Sequence, residues 1–287
     1  MNILIFGKIG QLGAELYSQG IKRKHKAIGF SHKELDITDK KAVERVVKKE
    51  KPDLVMNATA YHVVPDCEVY PDKAFLVNVI AVRDIAQICY EQNIRFVHYS
   101  TDYVFDGKKG SPYIENDLPS PVQTYGVSKV AGEYMALAVN PKNIVIRSSG
   151  VYGGKYGSHS KKGNFALNIL KDKEKDTLEV SSEQIVNPTY AVDLANATYD
   201  LLSHKNAIGI YHLANEGYCS WVEFTKGIMK LVGSKTKVVP VDRSGQSGGA
   251  RRPLFSALKN TRAAKLGIKL PSWQDAIKRY ILSFQLK

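Results

Sequence analysis

Short apolar runs alternate with longer amphipathic runs along the first half of this chain, and this order restricts the fold more than any other feature. It predicts strands at residues 2–6, 26–30, 54–57 and 95–100 and helices at residues 11–19, 40–50 and 72–92. Strand sequences such as ILIF and LVMN are apolar on both faces, which is typical of a parallel sheet covered by helices on both sides. Because parallel crossovers are right-handed, the pattern predicts an α/β fold with a doubly wound parallel sheet.

The alternation is less regular in the second half of the chain. It predicts helices at residues 125–139, 164–172, 191–203, 220–232 and 272–284 and strands at residues 143–147, 178–180 and 210–213. With 287 residues, the chain has the length of two domains or of one domain with an additional lobe.

The composition excludes several classes of protein. Hydrophobic residues make up 44% of the chain and charged residues 24%, as in globular proteins, and the three cysteines lack the CxxC spacing of a zinc site. No apolar run reaches the roughly 20 residues of a membrane span, and the first residues do not resemble a signal peptide. We therefore expect a cytoplasmic protein without membrane contact.

The chain carries a large positive charge. It has 41 Lys and Arg residues against 28 Asp and Glu residues, which gives a formal net charge of +13. This charge favours anionic ligands. Because the basic residues are dispersed and not gathered in a tail, we expect phosphate-bearing small molecules and no nucleic acid as partners.

Three glycines, Gly7, Gly10 and Gly13, stand between the first predicted strand and the first predicted helix. Glycines in this position let a pyrophosphate approach the backbone, and the free N–H groups at the helix start bind it. A tight turn alone would also use glycine, but the position early in a βαβ run favours a dinucleotide site. We predict a Rossmann domain of residues 1–148 plus about 176–213 and a substrate-binding lobe of about 149–175 plus 214–287.

The residues after the second predicted strand bear on the choice of cofactor. An NAD-binding protein usually has an acidic residue here that binds the ribose 2′-hydroxyl, whereas this chain has Ser31, His32 and Lys33. A hydroxyl and two potential cations suit the 2′-phosphate of NADPH. The negative charge of Glu34 would repel that phosphate, so NADH stays an alternative. If these are ordinary loop residues, they select neither cofactor.

Two more segments are expected at the same edge of the sheet. Asp36 and Ile37 follow the cofactor-selecting residues and are predicted to border the adenine. The third strand ends in Asn57, Ala58 and, two residues later, Ala60, and these short side chains would let a cofactor lie across the sheet edge.

Tyr125 and Lys129 are four residues apart in a predicted helix, so their side chains share one face. A phenol has a pKa of about 10, and a neighbouring ammonium that stabilises phenolate would allow proton exchange near neutral pH. Alone, this spacing is common on solvated helices, but here it follows a dinucleotide-binding half. Tyr125 is therefore predicted to be the general acid and Lys129 its electrostatic partner.

The fourth predicted strand ends in Ser100, Thr101 and Asp102, at the edge where parallel sheets bind ligands. Ser100 is expected against the cofactor, and the Thr101 hydroxyl is expected to bind the substrate oxygen that Tyr125 protonates. The implied chemistry is reduction of a carbonyl group by hydride from a nicotinamide cofactor.

The motifs GKIGQLG, LDITD, STDYVFDG, YGVSK, NPTYAVDLA and ARRP follow one another in an order that resembles the extended short-chain dehydrogenase/reductases. Within them, the chain is most similar to the dTDP-4-dehydrorhamnose reductase family. The resemblance implies reduction of the 4-keto group of dTDP-4-dehydro-L-rhamnose to dTDP-L-rhamnose with NADPH or NADH. It also implies catalytic roles for Thr101, Tyr125 and Lys129 and cofactor contacts by Gly10, Gln11, Leu12, Ala58, Ala60, Tyr125 and Lys129.

The chain departs from the family pattern near the expected substrate. Many members have Asp directly after Val in a V-D-x-x-E segment, whereas Val64 is followed here by Pro65 and then Asp66. Gly150 stands where a Trp often follows the Ser after strand five, which removes an apolar wall from the sugar pocket. Only Glu15 matches the acidic residues through which some members bind magnesium, so we predict no required metal.

Asp102 and two residues of the second half, Asn164 and Arg252, are further candidates for substrate contact. Asn164 belongs to the GNF segment that the resemblance includes, and Asp102 accompanies Thr101. Arg252 of the ARRP segment would bind the substrate diphosphate through charge-assisted hydrogen bonds. A solvated basic loop would account for Arg252 equally well.

Two other functions stay open at this level. Nearly the same motifs occur in a non-catalytic, NADP-binding regulatory subunit of methionine adenosyltransferase, and a reductase of another nucleotide-linked 4-keto sugar would use the same residues. Sugar-nucleotide dehydratases usually have Asp-Glu after the Thr, whereas Thr101 is followed by Asp102 and Tyr103. The intact catalytic residues favour a reductase with a nucleotide-sugar substrate, and a homodimer is a further expectation.

Overall fold

The four strands predicted in the first half, together with strands at residues 144–148 and 209–212, form a six-stranded parallel sheet in the computed structural model, which describes residues 1–153, 163–242 and 250–285. The strands are β1 (Asn2–Phe6), β2 (Lys26–Phe30), β3 (Leu54–Asn57), β4 (Arg95–Thr101), β5 (Ile144–Ser148), β6 (Val151–Tyr152), β7 (Thr177–Ser181), β8 (Ile185–Val186), β9 (Thr189–Tyr190), β10 (Gly209–His212), β11 (Cys219–Ser220) and β12 (Lys237–Val241). The large sheet has the order β10-β5-β4-β3-β1-β2. Its order reverses between β1 and β3, where doubly wound sheets bind ligands. The predicted fold class is confirmed.

Helices cover both faces of this sheet. They are α1 (Gln11–Lys22), α2 (Lys40–Glu50), α3 (Val64–Val69), α4 (Pro71–Phe75), α5 (Ala81–Glu91), α6 (Thr124–Val139), α7 (Phe165–Lys171), α8 (Ala191–Ser203), α9 (Trp221–Leu231), α10 (Thr261–Lys265) and α11 (Trp273–Gln285). Because side chains alternate along a strand, Ile3 and Ile5 of β1 pack with α1 and α8, whereas Leu4 and Phe6 pack with α2, α5 and α6. Both faces are therefore buried.

A third buried cluster lies outside the large sheet, between α7, α9 and α11. Its centre is Phe224, whose ring lies 5.3 Å from that of Tyr152 and 5.8 Å from that of Trp273, measured between centroids. The parallel pair β7 and β12 borders this cluster. The predicted division into two units stays a prediction, and residues 154–162 and 243–249 of the predicted lobe lie outside the described residues.

One predicted helix, residues 72–92, is interrupted. The chain forms α4, then a π-helical turn at Leu76–Ile80, then α5. The turn contains the buried Asn78, whose amide oxygen accepts from the Tyr61 N–H at 2.9 Å and whose amide nitrogen donates to Ser128 Oγ at 3.0 Å. Such turns often accompany functional sites. Within the described residues, no helix has the length and apolar content that a membrane crossing requires.

Candidate active site

The turn between β1 and α1 has the geometry of a phosphate-binding loop. Gly7 has a φ of +88°, and its N–H and that of Lys8 both donate to the carbonyl of Phe30 at the end of β2. A Cβ on Gly7 would lie 2.9 Å from the Ala58 carbonyl oxygen, and a Cβ on Gly13 would lie 2.1 Å from the Gly7 carbonyl oxygen. Only glycine fits both positions, as the motif predicts.

The start of α1 leaves polar groups free for a ligand. Gly10 precedes the helix without a side-chain cap, so the first amides, those of Gln11 and Leu12, have no acceptor within the helix. Among the described residues, the buried Gln11 Oε1 and Ser100 Oγ have no hydrogen-bond partner. These groups fit a bound dinucleotide, because buried polar atoms are otherwise almost always paired.

The loop after β2 differs from the expectation in one respect. The backbone N–H and the hydroxyl of Ser31 both donate to Glu34 Oε2, each at 2.7 Å. These hydrogen bonds and the charge of Lys8 lower the pKa of Glu34. His32 and Lys33 are exposed. The Ser31 hydroxyl is therefore already bound to a carboxylate and is not free for a phosphate.

The predicted adenine-side residues are held by local contacts. Asp36 Oδ1 accepts from the N–H of Thr38 at 2.9 Å and from its hydroxyl at 2.8 Å, and Ile37 is buried in the core under α2. Ala58 and Ala60, beyond the end of β3, are half-buried. Their contacts with a cofactor stay predictions.

The start of α6, which carries Tyr125, is fixed by two side chains. Gln123 accepts from the N–H of Gly126 at 2.8 Å. Glu68 of α3 accepts from both the N–H and the hydroxyl of Thr124 at 2.7 Å. These contacts satisfy amides that a helix start leaves unpaired and so fix the position of Tyr125.

Lys129 is buried one helical turn after Tyr125. Its Nζ donates to the Tyr99 carbonyl at 2.7 Å and lies 3.1 Å from His98 Nε2. Burial lowers the pKa of Lys129 to about 8, against an opposing effect of Glu133.

The pKa of Tyr125 is raised. Burial is the main cause, the Asp102 charge adds to it, and a hydrogen bond with Thr101 opposes it. The expectation that the Lys129 ammonium makes this phenol acidic is therefore wrong for the protein alone, because burial and the Asp102 charge raise the pKa. Tyr125 is protonated at neutral pH, which suits a proton donor.

Asp102 is buried in a cluster of hydroxyl groups. Its Oδ1 accepts from the Thr101 hydroxyl at 3.1 Å, and its Oδ2 accepts from Ser149 at 2.9 Å and Ser256 at 2.5 Å. Burial raises the pKa of Asp102 to about 6, although these hydrogen bonds lower it. The carboxylate joins three chain segments, and its predicted contact with substrate stays a prediction.

Arg252 reaches the site through Tyr103. Burial and the Asp102 charge raise the pKa of Tyr103, and the Arg252 guanidinium, which is hydrogen-bonded to that phenol, lowers it. The Tyr103 ring meets the Tyr125 ring edge-on, with 6.2 Å between centroids, and Gln184 donates to the Tyr103 hydroxyl at 3.1 Å. Arg252 is exposed, so its guanidinium is accessible to an anionic ligand.

The predicted substrate residues Val64, Asp66 and Gly150 lie on two different segments of the chain. Val64 and Asp66 lie in the first turn of α3, and Asp66 is exposed. Gly150 has a φ of +54°, and a Cβ there would lie 2.8 Å from the Asn187 carbonyl oxygen and 3.3 Å from the ring of Trp221. Trp221 therefore borders the position where the family often has a Trp of its own.

Asn164 has a structural role that the sequence did not predict. It precedes α7, and its Oδ1 accepts from the Leu167 N–H at 2.8 Å, while its Nδ2 donates to the Tyr280 hydroxyl at 3.2 Å. The side chain is 5% exposed. Its amide groups are bound within the protein, and a contact with substrate stays a prediction.

Sequence reasoning missed several residues of the site. Ser256 and Gln184 are far from Thr101 in sequence, and nothing in their surroundings indicates a contact with it. Glu68 had a signal, since it stands at the position of the Glu that ends the V-D-x-x-E segment near the expected substrate. Among the described residues, no group of three or more His, Cys, Asp or Glu is placed to hold a metal ion. The expectation of no required metal stays a prediction.

Known proteins resemble this chain over nearly its whole length. The family model described as RmlD substrate binding domain matches residues 1–286. The chain is 37% identical to the spore coat polysaccharide biosynthesis protein SpsK of Bacillus subtilis (strain 168) over 280 residues, which cover 97% of this chain and 96% of SpsK.

Two solved structures of dTDP-4-dehydrorhamnose reductases are also similar. The one from Clostridium acetobutylicum ATCC 824 has 33% identity and a TM-score of 0.91, and the match covers 99% of this chain and 100% of that chain. The one from Bacillus anthracis strain Ames, in complex with NADP, has 32% identity and a TM-score of 0.90, and the match covers 98% of each chain.

Proposed function

The chain belongs to the RmlD substrate-binding domain family, and from this premise we propose that it reduces the 4-keto group of dTDP-4-dehydro-L-rhamnose to give dTDP-L-rhamnose. It is an NAD(P)H-dependent oxidoreductase of nucleotide-sugar biosynthesis. The observation that carries the proposal is that Tyr125 and Lys129 lie against the carboxyl end of β4, which bears Thr101, at the same edge of the sheet as the glycine turn after β1.

We propose NADPH as the cofactor, with NADH as the alternative, and the nicotinamide supplies the hydride. The amides of Gln11 and Leu12 would hold the pyrophosphate, and Gln11 Oε1 and Ser100 Oγ have unused hydrogen-bonding capacity for the rest of the dinucleotide. The related Bacillus anthracis structure contains NADP, which supports this choice.

In the proposed reaction, Tyr125 donates its phenolic proton to the carbonyl oxygen of the substrate. The raised pKa of Tyr125 keeps the proton in place until that oxygen becomes basic. Thr101 hydrogen-bonds to the phenol and opposes that rise in pKa. Its hydroxyl proton is donated to Asp102 Oδ1 before the reaction, so it would stabilise the phenolate by turning its O–H away from Asp102. Lys129 contributes a buried positive charge one helical turn away.

The substrate side would use the Arg252 guanidinium for the diphosphate. Its exposure and its hydrogen bond to Tyr103 place a positive charge near Tyr125. Charge-assisted contacts of this kind are strong and directional. Val64, Asp66 and Gly150 are proposed to border the sugar.

A purified-protein assay tests the activity. We expect NADPH oxidation with dTDP-4-dehydro-L-rhamnose to exceed that with GDP- or UDP-linked 4-keto sugars, and we expect Tyr125→Phe to lower kcat/KM by about 10²- to 10⁴-fold. Tyr90→Phe, at an exposed tyrosine of α5, is the control and should match wild type. The Kd for NADPH should change by less than about threefold in both variants.

The same assay decides between the proposed function and its alternatives. Preference for another nucleotide-linked 4-keto sugar would make the chain a reductase of that sugar. NADPH binding without turnover of any substrate in the panel would contradict the proposal and favour a non-catalytic, NADP-binding regulatory subunit like that of methionine adenosyltransferase.

We further propose that the protein acts as a homodimer in the cytoplasm, without nucleic-acid partners. Leu76, Ile80, Val127 and Tyr134 are exposed on the π-helical turn and on α6, which contact each other. Because two copies of a chain with a charge of +13 repel each other electrostatically, we propose these exposed apolar side chains as the surface on which two copies meet. Sedimentation velocity should give a dimer for wild type and for Leu118→Lys and a monomer for Val127→Lys, and a wild-type monomer would contradict this.

We also propose that the chain is divided into a Rossmann domain, residues 1–148 plus about 176–213, and a substrate-binding lobe, about 149–175 plus 214–287. The separate cluster around Phe224 supports it, because a lobe with its own buried core can be distinguished from the sheet domain.

A further inference from the structure

His98 is a fully buried histidine that the proposed chemistry does not use. It lies on β4, three residues before Thr101. Its Nε2 is 3.1 Å from Lys129 Nζ, and its Nδ1 is 3.4 Å from Asn57 Nδ2. Both neighbours present hydrogen-bond donors, and a neutral imidazole has only one unprotonated nitrogen with which to accept.

Thr59 determines which end of the Asn57 amide faces His98. Asn57 Oδ1 accepts from the Thr59 N–H at 3.2 Å and from the Thr59 hydroxyl at 2.5 Å. A backbone N–H can only donate, so the amide oxygen must face Thr59 and the amide nitrogen must face the imidazole.

The two donors therefore compete for His98. The contact with the Lys129 ammonium is the shorter of the two, and a hydrogen bond from a charged donor is about twice as strong as one from a neutral amide. While Lys129 is charged, the imidazole must leave Nε2 unprotonated and carry its proton on Nδ1, at the expense of the Asn57 contact. If Lys129 is a neutral amine, the opposite tautomer satisfies all three groups.

The positive charge of Lys129 is not neutralised by its hydrogen-bond acceptors. Its two hydrogen-bond acceptors, the Tyr99 carbonyl and the imidazole, are both neutral. Glu133, one turn along α6, is bound instead by two hydrogen bonds from the buried Arg147 of β5. Tyr125, four residues earlier, is another titratable group on the same helix.

We propose that His98 is a positioning residue for Lys129. His98 holds the Lys129 ammonium through Nε2, and its imidazole changes tautomer when Lys129 loses its proton. In that exchange Nε2 gains the proton that leaves Lys129 and Nδ1 releases its own proton to solvent, so one proton is lost in all and the imidazole stays neutral. The consequence for turnover rests on the proposed function, whereas the tautomer itself does not.

Histidine ¹⁵N NMR of the wild-type protein tests the tautomer without any turnover. We expect His98 at about pH 7 to have a protonated Nδ1 and an unprotonated Nε2, and the reverse above the pH at which Lys129 deprotonates. Burial and the charge of Lys129 lower the pKa of His98, so the imidazole stays neutral over this range, and burial lowers the pKa of Lys129 to about 8. Signals are assigned by their loss in His98→Gln. A protonated Nε2 or an imidazolium at pH 7 would overturn the inference.

The pH profile of kcat/KM supplies the second measurement. His98→Leu removes the acceptor, so the alkaline limb should move down by about one to two pH units. His98→Gln keeps an acceptor oxygen and should move it by less than about half a unit. His212→Gln, at another fully buried histidine, is the matched control and should leave the limb unmoved. A uniform loss of activity with an unmoved limb in His98→Leu would indicate a structural role only and reject the proposal.

Discussion

At the scale of single residues, Glu34 most directly opposes the use of NADPH. Its carboxylate accepts both hydrogen bonds that Ser31 can donate. A 2′-phosphate placed at this loop would meet a negative charge, and it could reach the Ser31 hydroxyl only if Glu34 moved away. His32 and Lys33 oppose this effect with positive or potentially positive charge.

Glu34→Gln should therefore increase selectivity for NADPH. Removing the negative charge should raise the ratio of kcat/KM for NADPH to that for NADH by about three- to tenfold, because like charges at close range disfavour binding. Steady-state kinetics with both cofactors measures this ratio. Lys33→Gln is the opposing control and should lower it. If neither variant changes the ratio, the loop after β2 does not select the cofactor.

The catalytic residues also show what the sequence could and could not predict. The four-residue spacing of Tyr125 and Lys129 predicted a shared helix face, because helix periodicity is local. The pKa of Tyr125 was predicted in the wrong direction, because burial and the charge of Asp102 depend on segments distant in the chain. Asn164 was predicted from a motif alone, and its side chain caps α7.

At the scale of elements, the start of α6 depends on Glu68 from α3. The two hydrogen bonds that Thr124 donates to this carboxylate fix the first turn of the helix that carries Tyr125. Glu68→Ala should lower the free energy of unfolding by about 1–2 kcal/mol, as the loss of a helix cap does. Urea denaturation measures this change.

A matched control for Glu68 is Glu44, which forms an exposed pair with Lys48 on α2. Glu44→Ala should leave the urea midpoint almost unchanged, because exposed i,i+4 pairs contribute little to stability. An equal effect of the two substitutions would show that the α3–α6 contact contributes no more to stability than an exposed ion pair does.

Element limits were predicted best where apolar periodicity is strong. Predicted ranges 40–50, 54–57 and 191–203 coincide with α2, β3 and α8. The π-helical turn inside the predicted helix 72–92 was missed. Its Asn78 forms hydrogen bonds with Tyr61 and Ser128, and contacts with such distant residues are not visible in a local sequence pattern. The pairing of β7 with β12 was missed for the same reason, since its partners are about 60 residues apart.

At the scale of the whole molecule, Asp102 joins the sheet to the C-terminal part of the chain. Its carboxylate accepts from Ser149 after β5 and from Ser256, which is 154 residues away in sequence. The Ser256 segment also pairs with β8, where its N–H donates to the Ile185 carbonyl at 2.9 Å. The proposed active site is therefore closed on one side by a distant segment, which is why the sequence did not indicate it.

This arrangement predicts an unusual pH dependence of stability. Burial raises the pKa of Asp102 from an ordinary 3.8 to about 6, so the folded state favours the protonated acid. The protonated acid therefore stabilises the folded state below about pH 4, and this stabilisation is lost as the pH rises through 6. The shift in pKa corresponds to a stabilisation of about 3 kcal/mol. Relative to Asp102→Asn, whose amide has no charge to bury, wild type should lose about 2–3 kcal/mol of unfolding free energy between pH 4 and pH 7.

Asp106, in the same loop, is a control with the opposite sign. Hydrogen bonds from the Lys108 N–H and the Tyr113 hydroxyl lower its pKa, so its contribution is present at neutral pH and is lost as the pH falls. Asp106→Asn should therefore destabilise the protein more at pH 7 than at pH 3, the reverse of Asp102→Asn. Chemical denaturation across this range distinguishes the two. A pH-independent difference for Asp102→Asn would mean that its carboxylate is ionised without cost, and the hydroxyl cluster would then fully replace the water that burial removes.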